Sequence, residues 1–311
     1  MQGRSRQRRD GRSQSHDAST RVDLKQKEGR SRQRRDGRSQ SHLRQIFREY
    51  QTTISSRKKQ YMKVTVLQQD IIWKNIPANL RHMGTLLEKA PKSDIYLFPE
   101  MCSTGFCMQP QEIAEEENGP TVQRMQQWAQ KYDAAIAGSV MTVVDGKYYN
   151  RMYFVTPEGV LGHYDKVHLF EYSGENLVYT PGNERTLWEW RGLRIRPAIC
   201  YDLRFPLFLH NNQGYDLLLI SANFPESRIL AWDTLVRARA IENQCYVAAS
   251  NRVGVDEYGN YVGHSVVLNP YGEKLGGCRS RSQGSATGEI DLEMVAKMRK
   301  AFPLMQEKTD W

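Results

Sequence analysis

From Met62 onward, short apolar runs alternate with segments of helical period, and this alternation restricts the fold more than any other feature. Lys63–Ile71, Ile95–Phe98, Asp216–Ala222 and Cys245–Ser250 read as strands. Between the first two, Leu80, Met83 and Leu87 recur on one helical face behind Pro77, as far as the break at Pro91. Thr121–Tyr132 carries Met125, Trp128 and Ala129 inward on a second helix, and Ile229–Asn243 reads as a third. Ala134–Val144 and Arg151–Thr156 are joined by Asp145-Gly146, a hairpin signal. After a long loop comes a strand ending at Cys200; later His264–Leu268 leads through Asn269-Pro270-Tyr271-Gly272 into a further pair. Strands interleaved with helices, plus hairpins, predict a mixed α/β layered domain. A strict Rossmann alternation fits poorly, and neither nucleotide-binding fingerprint follows a strand.

The first 61 residues obey different rules. Gly3–His16 recurs identically at Gly29–His42, a segment of Arg, Ser, Gly and Gln with almost no apolar side chain. Such composition cannot repay the entropy of ordering, so residues 1–61 are expected to be a disordered arm and 62–311 the folded domain. The formal charge of +9 belongs to this arm, which holds 18 Lys+Arg against 6 Asp+Glu, whereas the body holds 26 against 29. The body therefore gives no reason to expect nucleic-acid binding. The arm has three readings: a basic tail touching nucleic acid or an acidic surface, a solvated tail without a partner, or sequence translated from a start placed upstream of Met62. No run reaches the length of a membrane span, and no secretory h-region is present. Five cysteines in no C-x-x-C pair suggest neither a disulfide framework nor a zinc ribbon, so a reducing, cytoplasmic setting is expected.

Three positions at strand ends or in loops carry chemistry. Arg194–Pro206, RIRPAICYDLRFP, delivers Cys200 to the end of an apolar run and then breaks at Phe205-Pro206. Glu100 follows Leu97-Phe98-Pro99, and Lys166 lies in His163-Tyr164-Asp165-Lys166-Val167-His168-Leu169-Phe170. Each has a plainer reading: Cys200 as a small buried hydrophobe, Glu100 as a cap, Lys166 as a solvated lysine paired with Asp165. Together they supply the nucleophile, base and cation that acyl transfer needs. A cation beside Cys200 would favour its thiolate. His168 invites a Cys–His protease reading, but no companion motif supports it. Cys102 and Cys107 show no metal-ligand spacing, and Cys245 reads as buried filler.

Phe98-Pro99-Glu100, Tyr164–Phe170 and Ile199–Pro206 resemble, in order and separation, the three signature regions of the nitrilase (carbon–nitrogen hydrolase) superfamily. Ala231–Asn243, Gly263-His264-Ser265 and Asn269–Gly272 add further matches, so the resemblance spans Met62 to Trp311. It implies a four-layer α-β-β-α sandwich that often forms homo-oligomers, with no metal or cofactor. It also implies a catalytic triad of Glu100, Lys166 and Cys200, with the Tyr201 backbone N–H helping to bind the oxyanion. Glu175, in Tyr172-Ser173-Gly174-Glu175-Asn176, matches the second glutamate that positions the substrate amide; its plainer reading is an exposed loop carboxylate. Within the superfamily the chain looks most like omega-amidases acting on 2-oxoglutaramate and 2-oxosuccinamate. Arg204 is then a candidate for the substrate carboxylate, unless it ties down its own loop through Asp202. Phe106, Phe170 and Tyr201 are candidate pocket walls. Other branches of the superfamily, acting on N-carbamoyl compounds, nitriles or other amides, remain alternatives. A different class, a basic-armed nucleic-acid-binding or adaptor protein with a vestigial enzyme body, would have no need of the intact triad.

Overall fold

The computed structural model describes residues 61–304. The expected arm, apart from its last residue, and the last seven residues of the chain lie outside this range. Two sheets form the body. The first has the order β15-β1-β2-β4-β5-β6, from Gly284–Asp291 (β15), Tyr61–Gln68 (β1), Ile95–Leu97 (β2), Ala135–Val144 (β4), Lys147–Thr156 (β5) and Gly159–Asp165 (β6), with Glu115–Glu116 (β3) beside β4. The second has the order β14-β13-β10-β9-β8-β7, from Lys274–Gly277 (β14), Val266–Leu268 (β13), Tyr246–Asn251 (β10), Leu217–Ala222 (β9), Leu193–Ile199 (β8) and Trp188–Trp190 (β7). A separate hairpin pairs Val253–Asp256 (β11) with Gly259–Val262 (β12).

Each sheet has three parallel central strands, β1, β2 and β4 in one and β8, β9 and β10 in the other, flanked by antiparallel edges. Parallel neighbours require crossovers. Helix α1 (Ile76–Lys89) connects β1 to β2, α2 (Pro120–Tyr132) lies between β2 and β4, and α4 (Ile229–Glu242) connects β9 to β10. The Asn75 side chain caps α1 by accepting from the Ala78 N–H, with Pro77 in the first turn. A short turn of helix, α3 (Pro206–Leu209), follows β8, and α5 (Leu292–Ala301) closes the described chain.

Period-two alternation sorts side chains into layers. Ile95 and Leu97 of β2, Met152 and Phe154 of β5, and Leu217 and Leu219 of β9 meet in one core between the sheets. Tyr96, Tyr153 and Val155 point the other way, onto Met83 and Leu87 of α1 and Met125 and Trp128 of α2. Leu218 and Ile220 pack against Trp232, Val236 and Ala240 of α4. The layers are therefore α-β-β-α, the architecture that the resemblance implies. Fully burying one such Leu or Phe contributes about 1.5–3 kcal/mol, so three apolar layers hold the sandwich.

Two of the strands occupy what reads in the sequence as one long loop. β6 is a partly exposed edge strand with little apolar alternation, and β7 has only three residues. The β11–β12 hairpin and α5 also lack a clear sequence signal.

The sheets face each other with the carboxyl ends of central strands together. Ser221 Oγ at the end of β9 donates to the Phe98 carbonyl just past β2 at 2.8 Å, and Ser250 Oγ on β10 donates to the Leu67 carbonyl on β1 at 2.8 Å. Loops leaving both sheets thus open into the same region.

Candidate active site

Glu100 reaches this region on a turn that leaves β2. The Phe98 N–H donates to the Ala137 carbonyl at 2.8 Å, and the Met101 N–H donates to Ser139 Oγ at 2.8 Å, pinning both sides of the turn to β4. Met101 adopts φ +44°, unusual for a side-chain-bearing residue. Cys200 follows β8 at φ +45°, a second left-handed position. Such backbone costs about 1–3 kcal/mol and persists only where its surroundings fix it.

At Cys200 the fixing group is Asp202. Its fully buried carboxylate accepts from the Ile199 N–H (2.9 Å), the Tyr164 hydroxyl (2.7 Å) and the His168 N–H (3.0 Å), and lies 2.8 Å from His168 Nδ1. One carboxylate therefore ties the cysteine turn to the segment carrying Lys166. On the far side of that segment, the Gly182 N–H donates to the Lys166 carbonyl at 2.9 Å, and a Cβ on Gly182 would overlap the Asp165 carbonyl oxygen.

The three groups converge. Lys166 Nζ donates to Glu100 Oε1 at 2.9 Å and to both oxygens of Glu175, at 3.0 and 2.9 Å. Asn150 Nδ2 bridges the same carboxylates, at 2.8 Å to Glu100 Oε1 and 3.0 Å to Glu175 Oε1. Glu100 Oε2 accepts from the Asn223 N–H at 2.9 Å, and Glu175 Oε2 from the Phe170 N–H at 2.6 Å. Lys166, Glu100 and Glu175 are all at most 1% exposed. Breaking a buried ion pair by removing one partner costs about 3–5 kcal/mol, so each depends on the others.

Burial pulls the Lys166 ammonium down, but Glu100 and Glu175 more than offset this and hold it charged, above the usual lysine range. Burial also raises the Glu175 carboxyl, against the pull of Lys166. The Cys200 thiol is pushed well up by burial first and by the Glu100 carboxylate next, with Lys166 opposing. The expectation that the cation would favour a resting thiolate is thus reversed. Desolvation and a nearby anion outweigh one ammonium that is already shared between two carboxylates.

Several plainer readings also fall. Asp165 pairs with Arg151, at 2.6 Å to Nε and 2.9 Å to Nη2, and leaves Lys166 to Glu100 and Glu175. Glu100 is buried in the network rather than capping a helix. Glu175 is no exposed loop carboxylate, but it stands behind Lys166 and does not line the pocket. Asp202 is taken up by Tyr164, His168 and Ile199, so it does not tie down Arg204. His168 stacks on Phe205 at 3.6 Å and also does not line the pocket, which leaves a Cys–His protease without its base. Cys102, Cys107 and Cys245 are buried. Among the described residues, no group of three or more His, Cys, Asp or Glu side chains is placed to hold a metal ion.

A cavity of about 290 Å³ opens over Glu100, Lys166 and Cys200. Phe106, Phe170 and Tyr201 line it, as expected of its walls, and Arg204 is there as well. Tyr201 packs on Phe170, ring centroids 5.1 Å apart, and its N–H lies in the first turn of the 3₁₀ segment Cys200–Arg204. First-turn N–H groups lack intrahelical acceptors, so this one is available to a ligand.

Three further residues bear on the site without having been singled out in the sequence. Asn150 sits mid-strand in β5 with no local signal. Asn223 lines the cavity and is buried, yet neither its Oδ1 nor its Nδ2 has a partner among the described residues. Arg228 lines the cavity too. Asn223 directly follows β9, where a strand-end reading like that applied to Glu100 and Cys200 would have found it, whereas Arg228 lies further along, in the 3₁₀ turn Glu226–Arg228, with no such signal.

Comparison with known proteins identifies the family. The family model described as carbon–nitrogen hydrolase matches residues 63–300. An omega-amidase, YafV, of Yersinia enterocolitica is 42% identical over 247 residues, covering 79% of this chain and 96% of that protein. A 2-oxoglutaramate amidase of Bacillus subtilis is 34% identical, covering 78% and 96%. A CN-hydrolase superfamily protein of Xanthomonas campestris, whose crystal structure holds an arsenic adduct in the active site, superposes with a TM-score of 0.78 at 38% identity, over 81% of this chain and 98% of that one.

Proposed function

The chain belongs to the carbon–nitrogen hydrolase family, and we propose that it is an omega-amidase, hydrolysing the terminal amide of 2-oxoglutaramate or 2-oxosuccinamate to the 2-oxo dicarboxylate and ammonia. The convergence of Glu100, Lys166 and Cys200 on one cavity carries the mechanism. The similarity to omega-amidases carries the substrate.

The resting thiol is neutral, so its proton must leave as attack begins. Glu100 takes that proton while Cys200 Sγ adds to the amide carbon. Charge develops on the amide oxygen, where the Lys166 ammonium and the Tyr201 N–H receive it. Lys166 is held charged and immobile by its two carboxylates, so it reorganises little at that moment. Glu100 returns the proton to the amide nitrogen, the C–N bond breaks, and ammonia leaves a thioester on Sγ. Water then adds to the thioester, with Glu100 accepting its proton. Collapse breaks the C–S bond, releases the acid and returns the proton to sulfur. Glu175 acts by holding Lys166 and Asn150 rather than by touching the substrate. Arg204, on the cavity wall, is placed to meet the substrate carboxylate.

The proposal includes a cytosolic enzyme working as a homo-oligomer. Large apolar side chains exposed on and near α4, Leu230 and Ile241 with Leu207, support association. Among the described residues, no helix is long and apolar enough to cross a membrane.

Ammonia release from 2-oxoglutaramate and 2-oxosuccinamate tests the reading. Wild type should release it and Cys200→Ala should be slower by at least about 10³-fold. Undiminished release by Cys200→Ala would overturn the mechanism, and no release by wild type would overturn the substrate.

A further inference from the structure

Two guanidinium groups line the cavity with no carboxylate neutralising them among the described residues. Arg204 Cζ sits 5.5 Å from the Phe224 ring centroid, and Arg228 Cζ sits 5.0 Å from that of Phe170. The acids nearest to each in sequence are committed elsewhere. Asp202 serves Tyr164, His168 and Ile199, while Glu226 is paired with Arg281. Lys166, by contrast, is flanked by two carboxylates. The charged groups lining the cavity are Glu100, Lys166, Arg204 and Arg228, which leaves an excess of positive charge beside the reactive end.

Both arginines are half-buried, so each has lost part of its hydration without gaining an anion in return. A guanidinium resting on an aromatic ring keeps its in-plane N–H groups free, and that fork matches a carboxylate. The position of Arg228 is also tied to the chemistry. Phe170, beneath it, donates its N–H to Glu175, which holds Lys166, and the same ring packs on Tyr201 next to Cys200. At the other end of the β9 loop, the Asn223 N–H is bonded to Glu100. The unpartnered Asn223 carboxamide in this loop is a second polar group in want of a ligand, since buried amides are normally hydrogen-bonded.

We propose that Arg228, together with Arg204, anchors the substrate's carboxylate and makes the enzyme select amides whose far end is anionic. This rests on the omega-amidase reading and extends it to a second residue for the substrate carboxylate.

Steady-state kinetics on 2-oxoglutaramate and on pentanamide, a neutral amide of the same carbon count, test it. In Arg228→Gln, kcat/KM on 2-oxoglutaramate should fall about 100-fold, carried by KM, and the preference over pentanamide should fall with it. Inhibition by the product 2-oxoglutarate should weaken in parallel. Arg228→Lys, which keeps the charge, should recover part of the affinity. An Arg228→Gln enzyme whose KM for 2-oxoglutaramate stays within about twofold of wild type overturns the proposal. So does a loss borne wholly by kcat in both variants, as a structural role would give. If Arg228→Gln fails to fold, Arg228→Met with KM and product inhibition within about twofold of wild type overturns it as well. Wild type that cleaves pentanamide but not 2-oxoglutaramate contradicts the omega-amidase reading instead.

Discussion

The surroundings of Cys200 favour its protonated thiol. Burial and the Glu100 carboxylate both disfavour the thiolate, and the one nearby ammonium is already engaged by Glu100 and Glu175. A raised thiol pKa means a smaller thiolate fraction at any given pH. Without substrate, Cys200 should therefore react with iodoacetamide more slowly at pH 8 than a free cysteine, whose pKa is about 8.5, and its alkylation midpoint should lie above that value. Peptide mass spectrometry resolved by site would read this, and a midpoint below pH 7 would refute it. The arrangement suits an enzyme whose nucleophile is generated by proton transfer to Glu100 during attack. It also guards the cavity-lining sulfur against casual oxidation, because the thiolate is the reactive form. At this scale the sequence was informative where a residue ends an apolar run, as at Glu100 and Cys200. It was silent on Asn150, whose role arises from two carboxylates brought to it by distant segments. It also misled on the sign of the Cys200 shift, since burial and the competition for Lys166 are properties of the assembled site.

Among the elements, those with strong periodicity were legible, and those held by their neighbours were not. Helices α1, α2 and α4 and strands β2, β4 and β9 lie within a residue or two of the apolar patterns that announce them. The Asp145-Gly146 hairpin joins β4 to β5 as its turn signal predicts, with Val144 opposite Lys147. β6 was hidden because an antiparallel edge strand needs only one partner and presents much of its length to solvent. β7 was hidden because three residues carry too little pattern, although Trp188 and Trp190 reach the inter-sheet core. The β11–β12 hairpin, which contributes Tyr261 to the cavity wall, is held by the buried pairing of Arg252 with Asp256, a contact with no periodic signature. Functional loops follow the same logic. The two turns that place Glu100 and Cys200 depend on left-handed backbone at Met101 and Cys200, which no side-chain pattern announces.

For the molecule as a whole, the sandwich explains why groups from distant parts of the chain meet. Two sheets of similar design present the carboxyl ends of their parallel strands to one cavity, so β2 leads to Glu100, the proposed base, β8 to Cys200, the proposed nucleophile, and β9 to the loop bearing Arg228. The edge strand β6 adds the cation. The outer helix α4 exposes Leu230 and Ile241. Sedimentation velocity at micromolar concentration should accordingly find a species larger than one chain, and a purely monomeric profile would refute the homo-oligomer. In the proposed mechanism an acyl group passes through Cys200. Acid-quenched samples of enzyme and 2-oxoglutaramate, taken before the first turnover completes and digested for peptide mass analysis, test this most directly. The Cys200 peptide should carry the substrate's acyl group and lose it as 2-oxoglutarate appears; ammonia released while Cys200 stays unmodified at every time point would contradict the thioester mechanism.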